Sequence, residues 1–190
     1  MDETPTHVVF LKGKKTTLRP LEKKDIPLLT KWINDPEVTK YLCAYLPMSI
    51  KDEEDWFENL SKRKQIDIVL GIEVDGKLIG TMGVHGISWK DRAATTGAMI
   101  GEKEYWGQGY GTDAKMQLLN YAFNTLNLHR IASSVIEFNK RSLNYSLHCG
   151  YKKEGVRKKR FFINGKYHDE IILAVFKKDW LPYWRKYQKK

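Results

Sequence analysis

Apolar residues recur along the first third of the chain at the three- and four-residue spacing of amphipathic helices. Positions 26, 28, 29 and 32 form one such set, and positions 56, 57 and 60 form another. Asp25 is expected to cap the first helix, which ends at Asn34-Asp35-Pro36. Ser49 and Asp52 have the spacing of a capping box before the second helix. A short strand at 16–19 precedes both helices.

Two strand pairs are predicted from alternating or continuous apolar runs that flank tight-turn dipeptides. Asp75-Gly76 joins strands 68–74 and 77–85, and Asn164-Gly165 joins strands 161–163 and 167–176. Asp-Gly and Asn-Gly pairs accept the positive φ angles that two-residue hairpin turns require. Both pairs therefore predict antiparallel hairpins.

Strands and helices alternate between these hairpins. A strand at 95–101 is followed by a long helix with apolar residues at 114, 118, 119, 122, 123 and 126, and then by a strand at 130–136. Because a helix links the two strands, we expect them to run parallel. A short helix at 142–149, closed by Gly150, completes the series. The order predicts an α/β (α+β) fold with a mixed, mostly antiparallel central sheet flanked by helices.

Length and composition fit one globular domain. The 190 residues contain no internal repeat or linker, so we expect a domain at 15–180 between an N-terminal tail at 1–14 and a basic, solvated C-terminal tail at 181–190. No apolar run is long enough for a membrane span, and no signal peptide is evident. Two separate cysteines and no export signal favour the cytoplasm. The net charge of +10 admits a phosphorylated small molecule, a membrane surface or nucleic acid as partner, but no base-reading motif is present.

Three glycines lie at alternate positions where the strand at 95–101 gives way to the long helix. The string runs from Trp106 through Gly107, Gln108, Gly109, Tyr110 and Gly111 to Thr112. Glycines let backbone amides approach an anion, and the helix behind them presents unpaired N–H groups and the positive end of its dipole. The spacing fits neither a Walker loop nor a dinucleotide fingerprint. It indicates a phosphate site of another kind, or a helix start that needs flexible residues.

This loop resembles the Gln/Arg-x-x-Gly-x-Gly/Ala loop of the GNAT superfamily of acyl-CoA-dependent N-acetyltransferases. Gly109 and Gly111 fill its two small positions, and Trp106 stands where Gln or Arg is usual. Other segments, spread over residues 15–180, resemble the ribosomal-protein-alanine (RimJ/RimL-like) branch and its spermidine and aminoglycoside relatives. They are 18–21, 32–38, 104–107, 128–131, 139–142, 150–155 and 162–167.

The resemblance implies that acetyl-CoA is the co-substrate and binds at the strand and the glycine loop. Met99, Ile100 and Gly101 would pair with the pantetheine amides, and Gly107, Gln108, Gly109, Tyr110, Gly111 and Thr112 would bind the pyrophosphate. Asn139 is expected to cap the helix that contains Ser142 and to contact the cofactor arm. Lys115, Lys140 and Arg141 are candidate phosphate ligands, with plain solvation as the alternative. The histidines show no ligand spacing, so no metal site is expected.

Transfer to an amine requires loss of a proton from the amine and a hydrogen-bond donor for the departing thiolate. In the resembled family a tyrosine often serves the thiolate, but the matching position here is Ser146, and Tyr145 is expected to face elsewhere. Glu137 is the candidate base nearest the expected split in the sheet. A solvated role for Glu137, a role for His85 and a water relay are the alternatives.

The acceptor is expected to be a primary amine on a protein N-terminus, an aminoglycoside-like compound or another small molecule. The bound amine is expected to attack the thioester directly, without a covalent enzyme intermediate. The net charge disfavours a polyamine, although the acidic run 52–55 could locally reverse this effect. A catalytically silent acyl-CoA-binding domain and a nucleic-acid binder are the rival interpretations. No membrane partner is expected, nucleic acid is disfavoured, and a homodimer is left open.

Overall fold

Both predicted hairpins are present in one mixed sheet in the computed structural model, which describes residues 8–189. The turn residues Asp75, Gly76, Asn164 and Gly165 all have positive φ, as the dipeptides predicted. The eight strands, in chain order, are β1 Leu11–Lys12, β2 Thr17–Pro20, β3 Ile68–Val74, β4 Lys77–Ser88, β5 Ala93–Ile100, β6 Arg130–Ile136, β7 Lys152–Ile163 and β8 Lys166–Phe176.

The order of strands across the sheet is β1-β2-β3-β4-β5-β6-β8-β7. Every neighbouring pair is antiparallel except β5 and β6, which are parallel as predicted. The six α-helices flank this sheet and are α1 Ile26–Ile33, α2 Pro36–Thr39, α3 Ile50–Lys62, α4 Tyr110–Asn120, α5 Lys140–His148 and α6 Lys177–Lys189. The predicted fold class is confirmed. No helix within residues 8–189 has the length and apolar character needed to cross a bilayer.

The parallel strands β5 and β6 stay together over only three residue pairs. They pair from Ala93 opposite Arg130 to Thr95 opposite Ala132 and then separate. Beyond this point β5 pairs only with β4, and β6 pairs only with β8. The sheet therefore opens into a V at its centre, with a free backbone edge on each side.

Helix α4 follows β5 and runs through the interior of the protein. Its residues 113–116 are all buried, so this helix packs on more than one side. At its end the chain continues as a π-helical turn, Tyr121–Thr125, which completes the predicted helix.

The residues of the predicted C-terminal tail are helical up to residue 189, and most of their side chains are exposed. Residues 177–189 form α6, in which Trp180 is fully buried and Tyr187 packs against the core. The Tyr187 hydroxyl donates to Asp113 Oδ1 over 2.6 Å, and the same carboxylate accepts from the backbone amides of residues 14, 15 and 16. Burial alone would raise the pKa of Asp113, but these hydrogen bonds outweigh burial and lower it. Asp113 thus ties both ends of the chain to the start of α4.

One of the two predicted helix caps in the first third of the chain is present, and the other is not. Ser49 and Asp52 form the predicted capping box of α3. Asp25 precedes α1, but its side chain does not cap that helix, because it forms a buried ion pair with Arg19 over 2.8 Å. Of the predicted N-terminal tail, residues 1–7 lie outside the described residues, and Leu11–Lys12 pairs with β2.

Candidate active site

The glycine loop adopts a backbone that only glycine accepts readily. Gly107 and Gly109 have φ angles of 76° and 87°, in the left-handed region, and α4 begins directly after Gly109. No atom lies within 4 Å of a Cβ built on Gly107 or Gly111, and only Lys15 Nζ, at 3.8 Å, approaches one on Gly109. The loop therefore leaves open space in front of the unpaired N–H groups at the start of α4.

This loop closes one end of a cleft of about 550 Å³ that lies between the separated strands β5 and β6. Nine of the eleven residues predicted to bind the cofactor line the cleft. They are Met99, Ile100, Gly107, Gly109, Tyr110, Gly111, Thr112, Asn139 and Ser142. Asn139 also caps α5 as predicted, since its Oδ1 accepts from the Ser142 amide over 3.0 Å. Trp106 donates its indole N–H to the Ile100 carbonyl over 2.7 Å and so holds the loop against β5.

The remaining two predicted cofactor residues do not line the cleft. Gly101 is buried against Trp32, and a Cβ at residue 101 would lie 2.0 Å from an indole carbon. Gly101 is therefore a glycine because of this packing. Gln108 is exposed; its side chain turns back to the Glu104 carbonyl, and its own carbonyl accepts from Lys15 Nζ.

One cation lines the cleft, and a second lies beside the glycine loop. Arg141 lines it, with its guanidinium carbon 3.9 Å from the centroid of the Trp106 ring. Lys15 reaches the glycine loop through the hydrogen bond to the Gln108 carbonyl, 3.1 Å long. Sequence reasoning missed Lys15, since it lies 93 positions from Gln108 and only the fold brings the two together. Lys140 is exposed and does not line the cleft.

The prediction that Lys115 is a phosphate ligand is wrong. Its side chain is fully buried beneath the cleft, and its Nζ donates to Thr96 Oγ1 over 2.8 Å. Burial lowers the pKa of Lys115 to about 8. No carboxylate within residues 8–189 pairs with it. Thr96 Oγ1 also lies 2.7 Å from the Tyr151 hydroxyl, so a small polar cluster lies under the point where the strands separate.

The predicted orientations of Tyr145 and Ser146 are reversed. Ser146 is 1% exposed and does not line the cleft, whereas Tyr145 does. The cleft-facing positions of α5 are 141, 142, 144, 145 and 148, which form one helical stripe, and residue 146 falls outside it. Burial raises the pKa of Tyr145, so its hydroxyl keeps its proton and can donate a hydrogen bond.

Glu137, the candidate base, also lies outside the cleft. Its side chain is 41% exposed, and its Oε1 lies 3.1 Å from His168 Nδ1 on β8. Glu137 lines neither this cleft nor a second pocket that adjoins it on the side of α1 and α3. The structure therefore supports the alternative of a surface carboxylate.

A second pocket, of about 490 Å³, adjoins the cleft on the side of α1 and α3. The two cavities share Leu42, Cys43, Gly97, Ala98 and Met99. The second pocket is mainly apolar. Of the aromatic residues of the early helices and loops, Tyr45 and Trp56 line it, and so do His85 and Glu53. Among the described residues, no cluster of three or more His, Cys, Asp or Glu side chains is arranged to hold a metal ion.

Known proteins are similar to this chain over most of its length. Residues 15–152 match the family model of the acetyltransferase (GNAT) domain. The chain is 33% identical to the probable N-acetyltransferase YjcK of Bacillus subtilis, over 90% of this chain and 98% of YjcK. It is 31% identical to the putative ribosomal N-acetyltransferase YdaF of the same organism, over 86% of this chain and 92% of YdaF.

Among solved structures, spermidine N-acetyltransferase from Vibrio cholerae in complex with CoA and spermine is similar with a TM-score of 0.82. The two are 26% identical, and the match covers 88% of this chain and 98% of that one. The chain belongs to the GNAT acetyltransferase family. The enzyme class and the likeness to the ribosomal and spermidine relatives predicted from the sequence are confirmed.

Proposed function

We propose that the protein transfers the acetyl group of acetyl-CoA to a primary amine on a small molecule or a peptide. The observation that carries this proposal is that the split between β5 and β6 meets the glycine loop at the start of α4. A free strand edge suits the amides of pantetheine, and a helix N-terminus behind left-handed glycines suits a diphosphate. The Vibrio cholerae relative in complex with CoA and spermine supports the same pairing of co-substrate and amine.

The residues proposed to hold acetyl-CoA are the nine predicted residues that line the cleft. The empty space around the Cβ positions of residues 107, 109 and 111 supports this assignment, because a phosphate could approach the backbone there. We add Lys15 and Arg141 as cations for the phosphates, from their positions at the loop. Gly101, Gln108 and Lys115 do not line the cleft and are not part of the proposed site.

Acetyl-CoA supplies an acetyl group already activated as a thioester. We propose backbone amides along β5 as donors to the negative charge that develops on the acetyl oxygen. Tyr145 takes the role first expected for Ser146, since its protonated hydroxyl can donate a hydrogen bond to the departing sulfur. The amine attacks the thioester directly. Cys43 lines the cleft, but partial desolvation raises the pKa of its thiol, which disfavours a covalent route through it.

The test is a thiol-release assay with acetyl-CoA and a panel of primary amines and peptides. We expect release that depends on the amine, with two-substrate kinetics that require both substrates to be bound together. Ping-pong kinetics would contradict direct attack. Saturable binding of acetyl-CoA without release across the panel would favour the silent binding domain instead.

The setting that we propose is the cytoplasm. Cys43 and Cys149 are both free thiols, and this supports a reducing compartment.

A further inference from the structure

The pocket beside the cleft contains a buried carboxylate that has no partner. Glu53 projects from α3, is only 8% exposed and lines the pocket. No hydrogen bond or ion pair within the described part of the chain reaches this carboxylate, whereas Asp52 and Asp55 of the same acidic run are exposed and paired. Burial raises the pKa of Glu53. A buried carboxylate is costly unless a cation or donors compensate it, so this side chain is suited to a positively charged ligand.

A histidine lies at the boundary between the same pocket and the cleft. A Cβ built on Gly83 would lie 2.7 Å from His85 Nε2, and one on Gly97 would lie 3.6 Å away. Gly83 and Gly97 are paired across β4 and β5, so the imidazole lies over this pair. The next residues of β5, Ala98 and Met99, line both cavities. His85 is therefore adjacent to the strand where the thioester is proposed to bind.

A carboxylate stands behind this histidine. Asp67 Oδ1 lies 3.7 Å from His85 Nδ1, which leaves Nε2 as the nitrogen over the glycine pair. Asp67 is itself fixed, because it pairs with Arg63 over 2.6 Å and accepts from the Gly86 amide over 3.0 Å. Burial lowers the pKa of His85, and the nearby cations Lys115 and Arg63 lower it further. Asp67 acts in the opposite sense and raises it, but the net shift is downward. The imidazole is thus neutral and able to accept a proton at neutral pH.

We propose that this pocket binds the acceptor amine, that Glu53 selects acceptors carrying a positive charge on an apolar body, and that His85 is the base. The nitrogen forms a bond to the acetyl carbon, and the carbon–sulfur bond breaks with its electron pair going to sulfur. The nitrogen of a cationic acceptor loses two protons. The first passes to His85 Nε2 before the attack and frees the lone pair, and the second, lost once the carbon–nitrogen bond has formed, neutralises the departing thiolate; His85 then returns its proton to solvent. This inference rests on the proposed function, because it needs the thioester to lie at Ala98 and Met99.

Glu53 is tested by the selectivity between a cationic and an uncharged acceptor. The probes are 2-phenylethylamine, which is cationic at neutral pH and has an apolar body, and hydroxylamine, which is uncharged. We expect Glu53→Gln to lower the ratio of their kcat/KM values by at least tenfold, through KM for 2-phenylethylamine. Glu58→Gln is the matched control, since it removes the same charge from an exposed position of the same helix and should keep the ratio.

An unchanged ratio in Glu53→Gln, or an equal fall in Glu58→Gln, overturns the role of Glu53. Turnover of 2-phenylethylamine by the unmodified protein that is no faster than by Glu53→Gln overturns it as well. Calorimetric titration of each protein with acetyl-CoA keeps this result separate from the proposed function. If the unmodified protein does not bind acetyl-CoA, the assignment of the cleft as the acetyl-CoA site is refuted instead.

His85 is tested by a pH profile. We expect His85→Gln to lower kcat by about a hundredfold or more while KM for 2-phenylethylamine stays within a few-fold. In the unmodified protein the rate should fall as the pH drops through the pKa of His85, below about 6.5, and this limb should be missing from the variant. The other charged groups that face the imidazole are Asp67, Arg63, Lys115 and Glu53. A variant that keeps the acid limb and the rate would show that His85 is not the base.

Discussion

Gly109 and Gly111 occupy the same loop but differ in backbone conformation, so alanine should have opposite effects on stability at the two positions. Gly109 has a φ of 87°, where an L-residue is strained by about 1–2 kcal/mol. Gly111 is the second residue of α4, with helical backbone and no atom within 4 Å of an added Cβ. There alanine should stabilise the protein by about 0.4–1 kcal/mol through the entropy of the unfolded chain.

For a chain of this length, 1 kcal/mol corresponds to a change in Tm of about 2–4 °C. We therefore expect Gly109→Ala to lower the Tm by about 2–8 °C and Gly111→Ala to raise it by about 1–4 °C. Gly109→Ala should also weaken acetyl-CoA binding at least tenfold, because the strained loop can no longer aim its N–H groups at the diphosphate. Gly111→Ala should stabilise the fold but also weaken acetyl-CoA binding, because its methyl group occupies the open space that the phosphate is proposed to enter.

Thermal unfolding without ligand gives the first pair of values, and calorimetric titration with acetyl-CoA gives the second. The two variants control for each other, because each adds one methyl group to the same loop. If Gly109→Ala were as stable as the unmodified protein and bound acetyl-CoA equally well, the loop assignment would be wrong.

Two further predictions concern the residues beneath and beside the cleft. Lys115 has a pKa of about 8 against an ordinary value of about 10.5, so the unfolded chain binds more protons between these values and stability should rise with pH across that window. Lys115→Met should therefore stabilise the protein at pH 7 by up to about 3 kcal/mol, and this gain should shrink towards pH 10.5. Equilibrium unfolding in denaturant measures the free energy of unfolding of both proteins at each pH. A difference in stability that does not change with pH would contradict the argument. Tyr145→Phe should lower kcat about tenfold or more without changing acetyl-CoA affinity, whereas Ser146→Ala should leave kcat within a few-fold. The opposite ranking in steady-state assays would restore Ser146 to the site.

Features set by neighbouring residues could be predicted from the sequence. The Asp75-Gly76 and Asn164-Gly165 turns, the Ser49 capping box and the Asn139 cap depend on residues within a few positions of one another. The parallel pairing of β5 and β6 followed from the helix that links them.

Features that depend on distant contacts could not be predicted. The basic end of the chain forms a helix that contacts the start of α4, where Tyr187 donates to Asp113, 74 positions away. Lys115 is buried because α4 is covered on several sides, and its helical pattern alone does not show this. Tyr145 and Ser146 are adjacent, so a motif aligned by counting from Asn139 gave the wrong one of two faces about 100° apart. Glu53 belongs to an acidic run, and nothing in that run distinguishes the one buried carboxylate.

The most direct test of the central claim is a calorimetric titration of the full chain with acetyl-CoA, followed by the same titration of Gly109→Ala. The account predicts one saturable site per chain in the unmodified protein and an affinity at least tenfold lower in the variant. Absence of heat and of saturation in the unmodified protein, at acetyl-CoA concentrations up to the millimolar range, would contradict it.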